Sequence, residues 1–123
     1  MSDPRRKLGE FGERLAEQHL LANGYTIREK NFRTREGEID IVAQQGDTLV
    51  FVEVRTRRGV RMGGAADSVT EAKQQRLIAM AEAYGQAREG LPEAQRIDVI
   101  ALDLSPDGKL QSLEHIENAV WSE

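Results

Sequence analysis

The chain has 123 residues, of which 39% are hydrophobic and 31% charged, and its formal net charge is −4. This length and composition suit one globular domain over residues 1–123 with a buried core. The absence of cysteine excludes disulfides, thiolate metal sites and a cysteine nucleophile, and the lack of a signal-peptide pattern or membrane-spanning apolar run leads us to expect a cytoplasmic protein with no membrane partner.

The first predicted elements are a helix over Leu8–Ala22 and a strand over Tyr25–Arg33. The helix carries an apolar stripe and ends at an Asn-Gly pair suited to a left-handed cap. Glu13 lies early in this helix, where a glutamate usually interacts favourably with the helix dipole and has no further role.

The central stretch of the chain predicts a β-hairpin. Two runs of β-branched and apolar residues, Ile39–Ala43 and Leu49–Val54, flank a short polar turn. The turn contains Gly46 followed by Asp47, and glycine supplies the positive φ that a tight hairpin turn requires.

The turn sets two acidic residues against each other. If Gln45 faces Thr48, Asp40 lies directly opposite Glu53, with the two Cβ atoms roughly 4.5–5.5 Å apart. A loop shifted by one residue would place Asp40 opposite Phe51 and leave Glu53 on the diagonal, still within reach. Two carboxylates at this separation repel each other unless a cation lies between them. Asp on one strand and Glu on the next suit a hard divalent ion, which prefers oxygen ligands.

Ordinary surface ion pairs are the competing interpretation of the charges in this hairpin. The same register places Glu38 opposite Arg55, as is typical of the solvated end of a sheet. Asp40 and Glu53 differ because each has apolar neighbours on both sides in the sequence. A strand with apolar residues on both faces is normally covered on both faces, so we favour a metal site for this pair.

The second half of the chain predicts a loop, a helix and two strands. Three glycines make Gly59–Ala66 a loop, and Ser68–Ala87 follows as a helix whose apolar stripe includes Lys73. Lys73 is either a lysine whose stem covers apolar surface or a cation directed at the sheet. Strands are predicted over Arg96–Leu104 and Leu110–Ile116.

The order α-β-β-β-α-β-β predicts an α/β architecture, with a central mixed β-sheet flanked by helices. Trp121 is expected to cover the edge of the core. His19 and His115 have no partner at metal-ligand spacing, and we expect both to be surface or packing residues.

Basic residues are unevenly distributed along the chain. Residues 1–61 contain 12 Lys/Arg against 10 Asp/Glu, whereas residues 62–123 contain 5 against 11. The overall negative charge argues against nucleic acid, but arginines next to paired acids suit a polyanion that is processed at a metal ion. The alternative is a set of solvated loop charges. One basic cluster occupies residues 5–7, and two further clusters, within residues 28–35 and 55–61, border the carboxylate pair. The residues of these two clusters that we expect to bind nucleic acid are Arg33, Arg35, Arg57, Arg58 and Arg61.

This element order, combined with several short motifs, resembles the PD-(D/E)XK nuclease superfamily and its restriction-endonuclease-like core. The motifs are G-E-F-G-E (9–13), N-F-R (31–33), G-E-I-D (37–40), F-V-E-V-R-T-R (51–57), Lys73 and R-I-D-V-I (96–100). Within the superfamily the chain is similar to the Holliday junction resolvases and, more closely, to the YraN-like family of uncharacterised bacterial proteins.

The resemblance implies roles for individual residues. Asp40 matches the metal-ligand aspartate, Glu53 matches the acid of the signature, and the Val54 backbone carbonyl would be a third ligand to Mg²⁺ or Mn²⁺. Glu13 matches a glutamate of the first helix in the resolvase-like branch. The resemblance also implies hydrolysis of nucleic acid, with DNA preferred to RNA and branched or structured substrates included, and it is compatible with a homodimer.

Arg55 occupies the position of the signature lysine, and here the sequence departs from the family pattern. Arginine cannot act as a base, because its pKa lies above about 12. Arg55 can still stabilise negative charge on a phosphate, and Lys73 could supply the missing ammonium from the second helix. The sequence therefore predicts a metal-dependent phosphodiester hydrolase. Two alternatives are a nuclease-like module that binds nucleic acid without cutting it, and an interaction protein whose acids form only ion pairs.

Overall fold

The computed structural model describes residues 4–59 and 70–119, and the elements in these ranges confirm the predicted order α-β-β-β-α-β-β. Most of the predicted loop Gly59–Ala66, Arg61 and Trp121 lie outside the described residues. The elements are α1 (Pro4–Ala22), β1 (Thr26–Thr34), β2 (Gly37–Gln45), β3 (Thr48–Arg58), α2 (Glu71–Ala87), β4 (Ala94–Leu104) and β5 (Leu110–Ile116).

The start of α1 differs from the prediction, because the helix begins at Pro4 and not at Leu8. Proline suits the first helical turn, because its missing N–H would have no intrahelical partner there. The basic residues that follow carry no apolar periodicity, so the sequence pattern did not reveal this turn. No helix in the described parts of the chain is both long and apolar enough to cross a membrane.

The five strands form one mixed sheet in the order β1-β2-β3-β4-β5. β3 and β4 are parallel and the other neighbours are antiparallel, so α2 lies within the crossover that a parallel pair requires. Gln45 pairs with Thr48 in the β2–β3 hairpin, which confirms the predicted register, and Gly46 has a φ of 57°.

The two helices cover opposite faces of the sheet. On one face, α1 buries Ala16 and Leu20 against residues of β2, β3 and β4, including Ile41 and Val52. On the other face, α2 contributes Leu77, Met80 and Tyr84, which pack with Ile39, Val42, Leu49 and Phe51. This burial on both faces explains why β2 and β3 have nearly continuous apolar sequences.

β1 and β2 both change the face to which their side chains point, at one shared position. Residues two apart share a face in a regular strand. In β1, however, Lys30 contacts Glu17 of α1, whereas Phe32 packs with the α2 face. Their partners in β2 behave alike, since Ile41 packs with α1 and Ile39 with α2. The residues at the reversal are Asn31, with a left-handed φ of 56°, and Asp40.

A buried polar network ties α1 to β4 and β5. Asp98 is fully buried and lies 3.0 Å from Arg96 Nε and 2.8 Å from His115 Nε2. His115 Nδ1 in turn lies 3.1 Å from His19 Nε2. Within the described residues, both histidines are therefore packing residues of this network, as expected from the sequence.

Candidate active site

The pair of the β2–β3 ladder that lies farthest from the turn joins Ile41 to Val52. Asp40 and Glu53 are the next residues beyond this pair. Continuation of the register would set Val54 opposite Ile39. Instead, the Val54 N–H donates a hydrogen bond of 2.8 Å to Asp40 Oδ2. At the point where the β2–β3 ladder ends, the Asp40 carboxyl group thus accepts the hydrogen bond that a backbone carbonyl of β2 would otherwise accept. This bond holds the Asp40 side chain against β3.

The two carboxyl groups interact strongly. Burial raises the pKa of Asp40 to about 10, and both a hydrogen bond with Glu53 and the negative charge of Glu53 act in the same direction. The Val54 N–H opposes this rise in pKa, and the charge of Glu13 adds to it. A carboxyl group with this pKa holds its proton at neutral pH, which relieves the repulsion between two adjacent acids.

Asn31 connects Glu13 of α1 to Glu38 of β2. Its side-chain amide donates hydrogen bonds of 3.0 Å to Glu13 Oε1 and 2.8 Å to Glu38 Oε1. Arg33 approaches the second Glu38 oxygen at 3.6 Å. These contacts come from β1, whereas the ion pair considered from the sequence joined Glu38 to Arg55 of β3. Asn31 therefore links Glu38 to Glu13, whose charge acts on Asp40.

Gly12 sets the distance between α1 and β3. A Cβ atom at Gly12 would overlap the hydroxyl oxygen of Thr56 and lie 3.0 Å from its Cβ. Only a residue without a side chain permits this approach, which explains the second glycine of the G-E-F-G-E motif. Glu13 is the next residue, so the close helix–strand packing brings its carboxylate to the Asp40 side of the sheet.

Lys73 approaches the carboxylate pair from α2. Burial lowers the pKa of Lys73, and the charge of Arg55 lowers it further, while the charges of Glu53 and Asp40 raise it. The structure therefore places Lys73 within electrostatic range of Arg55 and both acids. The Thr70 hydroxyl accepts a hydrogen bond of 3.3 Å from the Lys73 backbone N–H and fixes the start of this helix.

A positively charged cleft borders the acids. It has a volume of about 530 Å³, lies between the N-terminal half of α1 and the end of β3, and is called the arginine groove below. Four arginines against one glutamate create a positive potential that favours phosphate groups. Val54, which bonds to Asp40, connects the groove to the acid pair. The charged residues of the groove are Arg5, Arg55, Arg57, Arg58 and Glu13.

The remaining predicted arginines lie elsewhere. Arg33 lines a second cleft of about 540 Å³ on the β1–β2 side of Glu13. Arg35 is exposed in the β1–β2 turn and lines neither cleft, and Arg61 lies outside the described residues. Of the five arginines predicted to bind nucleic acid, the structure therefore brings Arg57 and Arg58 together in one groove.

The predicted metal site offers a divalent ion only a few protein ligands. In residues 4–59 and 70–119, no three side chains of His, Cys, Asp or Glu form a group that could hold a metal ion. The predicted set contains two carboxylates, Asp40 and Glu53, and the carbonyl of Val54. Both backbone polar groups of a strand residue point to the same side, so the Val54 carbonyl is directed towards β2, as its N–H is. Magnesium ions commonly use one or two carboxylates and complete their coordination with water and phosphate oxygens, so these residues fit the ion.

Sequence reasoning missed Asn31, Gly12 and Arg5 as residues of this site. Signals for the first two were present. Asparagine tolerates the left-handed region better than most residues, and a glycine inside a helix destabilises it by about 1 kcal/mol unless packing requires it. Arg5 gave no signal, because the basic cluster at residues 5–7 is far from β3 in the sequence.

Comparisons with known proteins agree on one family. The family model described as "Uncharacterised protein family UPF0102" matches residues 12–102. A UPF0102 protein of Symbiobacterium thermophilum is 47% identical over 106 residues, which cover 86% of this chain and 90% of that protein. A UPF0102 protein of Chloroflexus aurantiacus is 48% identical over 122 residues, which cover 98% of each chain.

One solved structure is also similar, that of Pyrococcus furiosus SfsA in complex with Ca²⁺. The TM-score is 0.43 and the sequence identity is 17%. The match covers 96% of this chain and 65% of that chain, so the present chain spans slightly less than two thirds of its length.

Proposed function

The chain belongs to the uncharacterised family UPF0102, the YraN-like family, and from the geometry of its site we propose that it is a divalent-metal-dependent nuclease. The observation that carries this proposal is the pair formed by Asp40 and Glu53. Burial raises the pKa of Asp40 to about 10 beside a second acid, and this pair lies next to a groove with four arginines. Perturbed acids next to a binding cleft are typical of functional sites.

Asp40, Glu53 and the Val54 carbonyl would hold Mg²⁺ or Mn²⁺. A cation would replace the proton that Asp40 retains and would relieve the same repulsion. When bound, such an ion supplies Lewis-acid polarisation of a phosphate and activation of water for attack. Glu13 adds negative charge near Asp40, and the Asn31 amide fixes its orientation.

Two cations of the chain itself would act on the scissile phosphate. The Arg55 guanidinium would stabilise the charge that develops on the phosphate oxygens. Lys73 would add a second positive charge from α2. Burial lowers the pKa of Lys73, so a role as a base is the alternative to a purely electrostatic one.

The arginine groove would hold the phosphates that flank the cleavage position. Arg57 and Arg58 follow Arg55 along β3, and Arg58 Nε donates a hydrogen bond of 2.9 Å to the Pro106 carbonyl, which restrains its position. Contacts to phosphates carry no sequence information and would therefore suit a nuclease that selects its substrate by structure. The preference for DNA over RNA rests on the resemblance to the nuclease superfamily.

Cleavage assays test the proposal. The protein should cut DNA, tested as single strands, duplexes and branched junctions with RNA alongside, when Mg²⁺ or Mn²⁺ is present and not in EDTA. Glu53→Gln should abolish cleavage, because it removes a ligand charge. Glu114→Gln is the matched control, since Glu114 is exposed on β5. Cleavage that persists in Glu53→Gln or in EDTA would contradict the proposed centre.

Binding at different salt concentrations tests the groove separately from cleavage. The combined change of Arg57→Ala and Arg58→Ala should weaken DNA binding and flatten the slope of log affinity against log salt by about 0.9 for each lost duplex phosphate contact. Arg35→Ala is the control, because Arg35 lines neither cleft. Affinity that does not change between about 50 and 200 mM salt would exclude a phosphate-binding groove.

A second function, binding of nucleic acid without cleavage, is favoured by one observation. Arg55 stands at the position of the signature lysine and cannot act as a base. In that case salt-dependent binding would remain, metal ions would still stabilise the protein, and the wild-type protein would cleave no substrate. Arg55→Lys, which introduces the signature lysine, would then be the one change expected to create cleavage.

A further inference from the structure

An apolar cleft of about 340 Å³ lies at the outer end of the arginine groove. The side chains of Leu8, Phe11 and Leu104 contribute its apolar walls, and Lys7 and Arg58 contribute charge. Phe11 is only partly buried, and the Arg14 guanidinium lies 5.8 Å from the centre of its ring. An aromatic ring with cations beside it is a surface on which planar rings stack.

The apolar cleft and the arginine groove are continuous. Leu8 and Arg58 line both of them, so one wall passes from the groove into the cleft. Two bonds restrain this junction: Arg58 Nε donates to the Pro106 carbonyl at 2.9 Å, and the Gly59 N–H donates to the Leu104 carbonyl at 3.0 Å. A ligand that follows the groove therefore passes residues that also line the cleft.

We propose that the apolar cleft takes a single unpaired nucleobase of a strand whose phosphates lie in the arginine groove. The charge pattern selects this occupant, because the groove favours a chain of negative charges and the cleft favours a flat apolar ring attached to that chain. A volume of about 340 Å³ lies at the small end of ligand sites, which suits one base and not a base pair within a duplex.

The proposal identifies the substrate class of the proposed nuclease as nucleic acid with an unpaired segment, and it rests on the proposed function for the identity of the ligand. The base would lie away from the acids, because Val54 and Arg58 are four residues apart on β3, or roughly 13 Å in a strand. The unpaired segment would thus flank the cleavage position.

Binding measured in EDTA tests the cleft without any contribution from cleavage. A fluorescent single strand of about 16 nucleotides and a duplex of the same sequence are compared by anisotropy. Phe11→Leu should weaken binding of the single strand about tenfold, leave the salt slope unchanged and leave duplex binding unchanged. Phe32→Leu is the matched control, because Phe32 packs on the opposite face of the sheet against Tyr84. Circular dichroism confirms that both variants are folded.

Single strands with one abasic position provide the second measurement. One abasic position should weaken binding as much as Phe11→Leu does, and the combination of both changes should cost no more than either alone, because both remove the same contact. An equal loss for single strand and duplex, no loss in Phe11→Leu, or additive losses at every abasic position would overturn the proposal. If one of these results is found while binding remains salt-dependent, only the proposed base site in the cleft is wrong and the proposed nuclease is retained. If neither the single strand nor the duplex binds, both proposals are wrong.

Discussion

Asn31 and Asp40 both lie between the pairs Lys30–Ile41 and Phe32–Ile39 of β1 and β2, at the position where both strands change the face to which their side chains point. The left-handed backbone of Asn31, with φ of 56°, accounts for the change in β1. In β2 the change leaves the Asp40 carboxyl group in contact with the Val54 N–H of β3. One local irregularity thus places the acid that the proposed function depends on.

Substitutions of Asn31 should separate its backbone role from its side-chain role. Asn31→Ala should be less stable than Asn31→Gly by on the order of 1 kcal/mol, because alanine must adopt the left-handed φ and glycine does so freely. Both lose the bonds to Glu13 and Glu38. Urea denaturation of the two variants measures the difference, and equal stabilities would show that the left-handed backbone is not retained.

Asp40→Asn should change how stability depends on pH. The folded pKa of Asp40 is raised to about 10 from an ordinary value of 3.8, so the folded state binds more protons than the unfolded state between these values. Stability of the metal-free protein should therefore fall as pH rises through this window, by at most about 1.4 kcal/mol per pH unit from this group.

The Asp40→Asn variant lacks this contribution, so its thermal midpoint should equal or exceed that of the wild type at about pH 8, and its profile should be flatter. Mn²⁺ should raise the midpoint of the wild type and not that of the variant. A variant clearly less stable than wild type at this pH would indicate that the Asp40 carboxylate is part of a structural ion pair.

Lys73 and Arg55 should differ in their effect on the pH dependence of cleavage. If the two residues act only through their charge, which we favour, Lys73→Arg should be mild and Arg55→Lys should maintain or raise activity. If Lys73 is a base, activity should rise with pH through its lowered pKa, and Lys73→Arg should lose most activity although the charge remains. Initial rates from about pH 6 to pH 9 distinguish the two.

Gly12→Ala should destabilise the protein by about 1–3 kcal/mol, because the added methyl group overlaps the Thr56 side chain. Gly85→Ala is the matched control in α2. A Cβ atom there meets no atom within 4 Å, so this change should stabilise the helix by about 1 kcal/mol.

Thr56→Val should be neutral or stabilising, because the buried Thr56 hydroxyl has no hydrogen-bond partner in the parts of the chain that the structure describes. Chemical denaturation measures the free energy of unfolding of Gly12→Ala, Gly85→Ala and Thr56→Val. A Gly12→Ala protein as stable as wild type would show that α1 can move away from β3 at little cost, and activity would then be expected to fall with the displacement of Glu13.

Asp98→Asn should destabilise the protein by about 3 kcal/mol, because Arg96, whose side chain is 18% exposed, loses its buried carboxylate partner and keeps, among the described residues, only the exposed carboxylate of Glu117 at 3.7 Å. Burial by itself raises the pKa of Asp98, but hydrogen bonds from His115, Arg96 and the Asn118 N–H outweigh it and lower the pKa below 3.8. The stabilisation is therefore present above the ordinary pKa and is lost as pH falls through the folded value.

Acid denaturation checks this sign. The difference in stability between wild type and Asp98→Asn should be constant near neutral pH and should shrink below about pH 4. Asp107→Asn is a suitable control on the exposed β4–β5 turn. A difference that grew on acidification would contradict the assignment of Asp98 as an ionised partner of Arg96.

The order of the elements, the α/β class and the register of the central hairpin could all be predicted from the sequence. These properties depend on local chemistry: the Gly46 turn, the apolar runs of two buried strands and the apolar stripes of two helices. The predicted register also brings Asp40 and Glu53 together, because a hairpin pairs residues that are close in sequence.

The distant residues that join this pair could not be identified from any single element. Lys73 lies on α2 and Glu13 on α1, on opposite faces of the sheet. Arg5 of α1 and Arg57 of β3 line the same cleft. These contacts depend on how the helices pack, and Gly12 shows that the distance is set by a contact between α1 and β3. No pattern within one element contains that information, because it arises from two surfaces that meet only in the folded chain.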